Sequence, residues 1–235
     1  LGFDQKKLHI TCLKEDLESA EIWQTLGFPK EKIYFYGPEK NWWSRSGVPD
    51  NMPVGEIGGP DSEVFYEFDQ PHDPKFGNDC HPNCDCGKYL EIGNSVFIQY
   101  QKQIDGSFKE LQQKNVDFGG GLERTLAALG NDPDIFNTVL FSEIIDEIKE
   151  TTGKPYSNDN MKPMRIIADH IKSSVFLIKD GVKPSNKDQG YVLRKLIRRA
   201  AVKYFSMGGS LAPSNLFVIA DRVVLRVYDG VQYLD

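Results

Sequence analysis

The chain has 235 residues, 28 Lys+Arg against 34 Asp+Glu, and a formal net charge of −6. Such a length holds one large domain or two modest ones, and a hydrophobic content of 40% suits a globular protein with a real core. No stretch of about 18 apolar residues is present, which argues against a transmembrane helix.

In chain order, Leu8-His9-Ile10-Thr11-Cys12 reads as a short strand. Lys14 to Leu26 reads as a helix, with acids in its first turn and Gly27 as its stop. Ile33–Tyr36 is a second strand. Residues 37–61 are rich in Gly and Pro and predict a long loop, which in a compact domain is more often functional than idle. Ser62–Phe68 and Lys88–Gln103 are strand candidates. Asp105-Gly106 is a hairpin signal into Ser107–Leu111, and Val116–Phe118 starts another strand that runs into three glycines. Up to this point the pattern is an antiparallel sheet with helices on one side.

After residue 133 the chain reads as helical: Asp134–Thr151, Pro163–Lys179, Gly190–Ser206 and Pro213–Val227. The turn-forming stretch GKPYSNDN suggests domains at 1–155 and 156–235. The fold class expected is therefore α+β, a partial antiparallel sheet followed by an all-helical domain.

Charge is distributed unevenly. Residues 1–160 hold 15 Lys+Arg and 28 Asp+Glu, a balance of −13, whereas residues 161–235 hold 13 and 6, a balance of +7. The basic part is the natural place to meet a polyanion. Its densest cluster is Arg194, Lys195, Arg198, Arg199 and Lys203, where 194/198 and 195/199 are i,i+4 pairs on a helix. A solvated helix face is the plain alternative.

The most informative segment is Val116-Asp117-Phe118-Gly119-Gly120-Gly121-Leu122-Glu123-Arg124. It runs strand, glycines, helix. Glycines let a ligand approach the backbone, a helix N-terminus favours negative charge, and an Arg in the first turn can grip phosphate. Asp117 could hold an ammonium group. A capped turn with a solvent-facing Arg is the simpler structural account.

The string GGGLER resembles the third signature motif of class II aminoacyl-tRNA synthetases. Arg165–Ile171, Asp180–Asn186 and Gly190–Ala200 resemble the tRNA-recognition region of alanyl-tRNA synthetases. Glu91-Ile92-Gly93-Asn94-Ser95-Val96-Phe97 resembles that family's alanine-pocket strand. With Asn41-Trp42-Trp43 and Ser62-Glu63-Val64-Phe65-Tyr66, the resemblance covers nearly the whole chain in order.

The resemblance implies a class II synthetase sheet and an ATP- and Mg²⁺-dependent ligase that joins alanine to tRNA for alanine in the cytoplasm. It implies that Asp117 pairs with the substrate ammonium, Asn94 binds alanine, and Trp43 walls the methyl. Gly119 and Gly121 then line the pocket, Arg124 reaches the ATP phosphates, and Asn186 reads a G·U wobble pair in the acceptor stem. Arg194, Lys195, Arg198 and Arg199 are expected to meet tRNA phosphates. On a strand, only one of Trp42 and Trp43 can face the pocket. Asn94 lies in an otherwise apolar row, where a buried amide needs partners and a substrate can be one.

The chain also departs from the family. It lacks an initiator Met and a signal-peptide pattern, and the first two class II motifs are expected upstream of Leu1. This segment alone is therefore expected to be inactive, and the family's editing and C-terminal domains are not recognised within it. Two other classes of function stand beside the ligase. One is a non-catalytic tRNA-binding relative; the other is a tRNA-independent ligase for a small amino acid, against which the basic helix argues.

Cys80-His81-Pro82-Asn83-Cys84-Asp85-Cys86 packs three Cys and one His into seven residues, with His72 upstream. Three thiolates and an imidazole, from His81 or His72, suit a tetrahedral zinc site. Three free thiols are the alternative. The resemblance adds little here, because the family's better-known zinc site belongs to its editing domain.

Overall fold

The computed structural model describes residues 1–210 and 213–230, and only the backbone of 158 and 213–215. It divides into two compact units, Leu1–Pro133 and Asp134 onward.

The first unit is built on a six-stranded sheet. Its strands are β1 (Leu8–Leu13), β2 (Ile33–Tyr36), β3 (Trp42–Ser44), β4 (Ile57–Glu67), β5 (Tyr89–Lys102) and β6 (Phe108–Gly120). Their order is β2-β1-β4-β5-β6, with β3 beside the first part of β4. All pairings are antiparallel except β1–β2. That pair is parallel because α1 (Leu17–Thr25) carries the chain back between them.

α1 starts where Asp16 accepts a hydrogen bond from the Ser19 amide at 3.2 Å, and it ends before Gly27, which adopts φ +98°. It covers one face of the sheet: Ala20 and Trp23 pack over Ile10, Cys12, Phe28 and Ile33. Each large apolar side chain buried there contributes about 1.5–3 kcal/mol.

The stretch expected to be a loop, 37–61, is instead largely ordered. It contains α2 (Pro38–Asn41), β3 and the start of β4. Its glycines read as loop residues, yet Gly59 serves close strand packing. A Cβ on Gly59 would sit 1.9 Å from the Phe97 carbonyl oxygen.

β5 and β6 form a hairpin at Asp105-Gly106, where Asp105 Oδ1 accepts from the Ser107 amide at 3.0 Å and Gly106 has φ +84°. The two short strands expected at 107–111 and 116–118 are one continuous strand, because the polar residues between them lie on an exposed edge. α3 (Leu122–Gly130) follows and ends on Asn131 in the left-handed conformation.

The second unit is helical: α4 (Ser142–Thr152), α5 (Met161–Lys179), α6 (Asp188–Ser206) and α7 (Pro213–Arg222), the last followed by a π-turn at Val223–Val227. The boundary expected at 155/156 falls inside this unit. α4 packs on α5 and α7. Asp134 Oδ2 also accepts from Tyr156 Oη and Arg165 Nη2, both at 2.7 Å, which ties the residues before α4 to α5. The end of the expected second domain, 231–235, lies outside the described residues. No helix among the described residues is long and apolar enough to cross a membrane.

Candidate active site

Strand pleating decides which side chains share the sheet face opposite α1. Residues paired across antiparallel strands lie on the same face, and i, i+2 residues stay together. The register pairs Thr11 with Glu63, Glu63 with Asn94, Asn94 with Gly119, Asp61 with Val96, and Val96 with Asp117. Thr11, Asp61, Glu63, Asn94, Val96, Asp117 and Gly119 therefore form one surface. Asn94 and Asp117 are diagonal neighbours, a relation that spans about 7–8 Å.

Asp117 is exposed on β6. A Cβ on Gly119 would meet nothing within 4 Å, so its position opens directly onto the face. Gly121 differs: a Cβ there would lie 3.1 Å from Arg124 Cδ, so this glycine lets the Arg124 stem fold against the turn. Gly121 precedes α3 and has no side chain with which to cap it.

Arg124 Nη1 pairs with Glu91 Oε2 at 2.8 Å. Both line a cleft of about 350 Å³ with Lys40, Glu63, Asn83 and Asp85. A larger cavity of about 550 Å³ is lined by Leu13, Trp42, Pro60, Tyr100 and Phe108 and contains none of the expected substrate residues.

The two tryptophans separate as strand geometry requires. Trp42 stacks on Tyr100 at 6.1 Å and meets Phe108 edge-on at 5.4 Å. Trp43 points the other way, paired with Gly59 and 41% exposed. Gly59 lies two residues before Asp61, so Trp43 belongs to the Asp61–Glu63 face.

The sequence reading missed a buried polar network beneath this face. Asn41, fully buried, donates through Nδ2 to Thr11 Oγ1 at 2.9 Å and Asp61 Oδ1 at 3.0 Å. Thr11 Oγ1 donates to Glu63 Oε2 at 2.8 Å. The available signal was two acids at i, i+2 on a strand whose neighbours are buried. Asn94, paired with Glu63 and diagonal to Asp61 across β4 and β5, has its Oδ1 buried without a partner among the described residues. A buried acceptor left open beside two carboxylates invites a donor, and a cationic one most of all.

Burial pushes the Asp61 carboxyl up to about 6, against the hydrogen bond from Asn41. Burial likewise pushes Glu63 up to about 7, against the Thr11 hydrogen bond, and the neighbouring Asp61 charge adds to the rise. Both values exceed those of the unfolded chain, so the folded protein holds more protons between them. The stabilisation is complete below about pH 4 and is lost as pH rises through about 6–7. Across that window the two shifts together correspond to at most about 6 kcal/mol of stability, reduced by solvent screening of the partly exposed Glu63. His9, whose value burial lowers, contributes the opposite slope. The measurement is therefore a difference: urea unfolding of wild type and Asp61→Asn/Glu63→Gln from pH 4 to 7.5. The double variant should lose the decline, and parallel pH profiles would show that these carboxyls titrate normally.

In the helical unit, Arg194, Lys195, Arg198 and Arg199 are all exposed on α6. The segment before α6 folds tightly onto its first turn. The Ser185 amide donates to the Gly190 carbonyl at 3.0 Å, and a Cβ on Gly190 would lie 2.3 Å from Ser185 Oγ. Asn186 is exposed on this clamped loop, and its Oδ1 accepts from Arg194 Nη1.

The cysteine-rich loop between β4 and β5 converges on itself. Ligand atoms of His72, Cys80, Cys84 and Cys86 all lie within 4.8 Å of one another. His81 does not join them; its Nδ1 is 2.8 Å from the Tyr36 hydroxyl. Of the two histidines expected as ligands, the geometry keeps His72.

Comparison with known proteins agrees with this architecture. The family model for class II (A) tRNA synthetases matches residues 1–224. An alanine–tRNA ligase of Treponema denticola is 44% identical over 213 residues, 85% of this chain and 34% of that protein. One from Borrelia hermsii is 38% identical over 235 residues, 95% of this chain and 37% of that protein. One from Thermotoga sp. strain RQ2 is 39% identical over 230 residues, 97% of this chain and 26% of that protein. The chain thus spans about a third or less of the length of these relatives. The match runs through both the sheet and the helical unit, and the chain belongs to the class II (A) tRNA synthetases.

Proposed function

We propose that this chain forms part of an alanine–tRNA ligase, which activates alanine with ATP and transfers it to tRNA for alanine. The observation that carries this reading is the unpartnered, buried acceptor of Asn94 on the same sheet face as the exposed carboxylate of Asp117. Asp117 neutralises the ammonium, Asn94 Oδ1 accepts one of its protons, and Trp43 bounds the space left for a methyl. Gly119 leaves the backbone open to close approach.

Arg124 and the N-terminus of α3 meet ATP phosphates. Glu91 and Glu63 offer hard carboxylate oxygens beside Arg124, the donor type that suits Mg²⁺ held mainly by phosphates. When bound, Mg²⁺ supplies charge neutralisation at those phosphates. The alanine carboxylate attacks the α-phosphorus, pyrophosphate leaves, and alanyl-adenylate forms. The terminal tRNA hydroxyl then attacks the activated carbonyl and AMP leaves. The residues act by positioning and charge, without a covalent protein nucleophile. Asn186 reads the acceptor stem, while Arg194, Lys195, Arg198 and Arg199 engage its phosphates. The enzyme works in the cytoplasm.

Amino-acid-dependent ATP–pyrophosphate exchange by the full-length protein tests the reading. Alanine should support exchange at least tenfold better than glycine or serine, and tRNA for alanine should be charged. No exchange with any amino acid would favour a tRNA-binding relative. Exchange without tRNA charging would favour a tRNA-independent ligase.

A further inference from the structure

The geometry points to a structural zinc ion held by His72, Cys80, Cys84 and Cys86. The loop that carries them, residues 69–88, has little else to order it. Its only large apolar side chain, Phe76, is half-exposed, and its regular structure is a single turn at Pro74–Phe76. A loop of this length without a core needs another restraint.

The distances suit a tetrahedron. Zn–S bonds of about 2.3 Å and Zn–N bonds of about 2.0–2.1 Å place S···S edges near 3.8 Å and S···N edges near 3.6 Å. Cys80 Sγ lies 3.6 Å from Cys86 Sγ, and Cys84 Sγ lies 3.9 Å from His72 Nδ1. The remaining ligand-atom separations all lie within 4.8 Å.

The second observation is the orientation of His72. Its Nε2 is 2.8 Å from the Gly77 carbonyl oxygen, so Nε2 carries the proton and Nδ1 presents its lone pair to the three sulfurs. A ligating imidazole is normally fixed through its other nitrogen in this way. His81 is already committed to Tyr36. Three soft thiolates and one imidazole select zinc over the hard cations, and four protein ligands leave no open position. The ion is therefore structural. It fixes Asn83, Cys84 and Asp85, which form one wall of the cleft containing Arg124.

The test compares purified wild type with Cys80→Ser/Cys84→Ser and with His81→Ala. The difference in content cancels any other metal the protein carries. Elemental analysis should find one zinc per chain fewer in the double Cys variant and no loss in His81→Ala. Because the Cys variant could misfold, two measurements use wild type alone. A chelator should expose three thiols to a disulfide reagent and accelerate proteolysis between residues 72 and 86. Co²⁺ replacing the released metal should give the visible absorption of a tetrahedral thiolate site. Equal zinc in wild type and the Cys variant, freely reactive thiols in untreated protein, or a Cys80–Cys86 disulfide in the protein as purified would each overturn the assignment.

Discussion

Asp117→Asn in the full-length enzyme should lower kcat/KM for alanine by on the order of 10²-fold or more while leaving the fold intact. The substitution keeps the shape of the side chain and removes its charge. A charge-assisted pair to an ammonium is worth a few kcal/mol once both partners leave water. The loss should fall on alanine activation and spare the KM for ATP, because the proposed nucleotide contact, Arg124, belongs to the next element. Asp117 is exposed on an edge strand, and substitutions at such positions usually change stability by less than about 0.5 kcal/mol. A melting temperature matching wild type, together with the activity loss, is the expected pair of results. Unchanged kcat/KM for alanine would remove Asp117 from the site.

The neighbouring Asn94 sharpens this expectation. Its Oδ1 is buried and without a partner among the described residues, on the strand paired with Glu63. The buried carboxyls beneath the face give the site a second feature absent from a list of ligand contacts, a local charge that changes between pH 6 and 7.

What the amino-acid sequence made legible follows physical lines. β1, β2, α1, the β5–β6 turn and the four long helices all carry strong local signals: apolar periodicity, an Asp-Gly turn, or a glycine stop. The stretch 37–61 was illegible because Gly58, Gly59 and Pro60 look like turn residues. Their role is to let β4 pass close to Trp43 and Phe97, a non-local constraint. β6 was broken in two because an edge strand can expose polar side chains on both faces.

The site residues Asp117, Gly119 and Arg124 sit within one short motif, so their proximity was readable. The Asn41–Thr11–Asp61–Glu63 network joins α2, β1 and β4, and only the sheet register brings those together. The choice between His72 and His81 was likewise undecidable from spacing. His81 is nearer in sequence to the cysteines, but Tyr36, on a different strand, holds it away.

Asn186→Ala should lower discrimination for the wobble pair by roughly 1–3 kcal/mol, the usual range for a lost base-edge contact. The arrangement around Asn186 makes this more specific than turn chemistry alone. Arg194 Nη1 occupies Oδ1, which leaves the two Nδ2 hydrogens as the outward-facing donors. The loop behind is clamped through Ser185 and Gly190, so the amide is held before tRNA arrives. A G·U pair presents groups to an approaching donor that differ from those of a Watson–Crick pair. Arg194 therefore has a task that Lys195, Arg198 and Arg199 do not share. Neutralising any of those three should weaken all tRNAs alike and reduce the salt dependence of binding by about one phosphate contact. Arg194→Ala should do the same and also erode wobble preference, because it releases the Asn186 amide. The measurement is kcat/KM for aminoacylation by the full-length enzyme, on tRNA carrying G·U or G·C at the read position. Wild type, Asn186→Ala, Arg194→Ala and Lys195→Ala should be compared. Equal losses on both substrates for Asn186→Ala would make Asn186 a loop-forming residue, as a Pro-Ser-Asn turn alone would suggest.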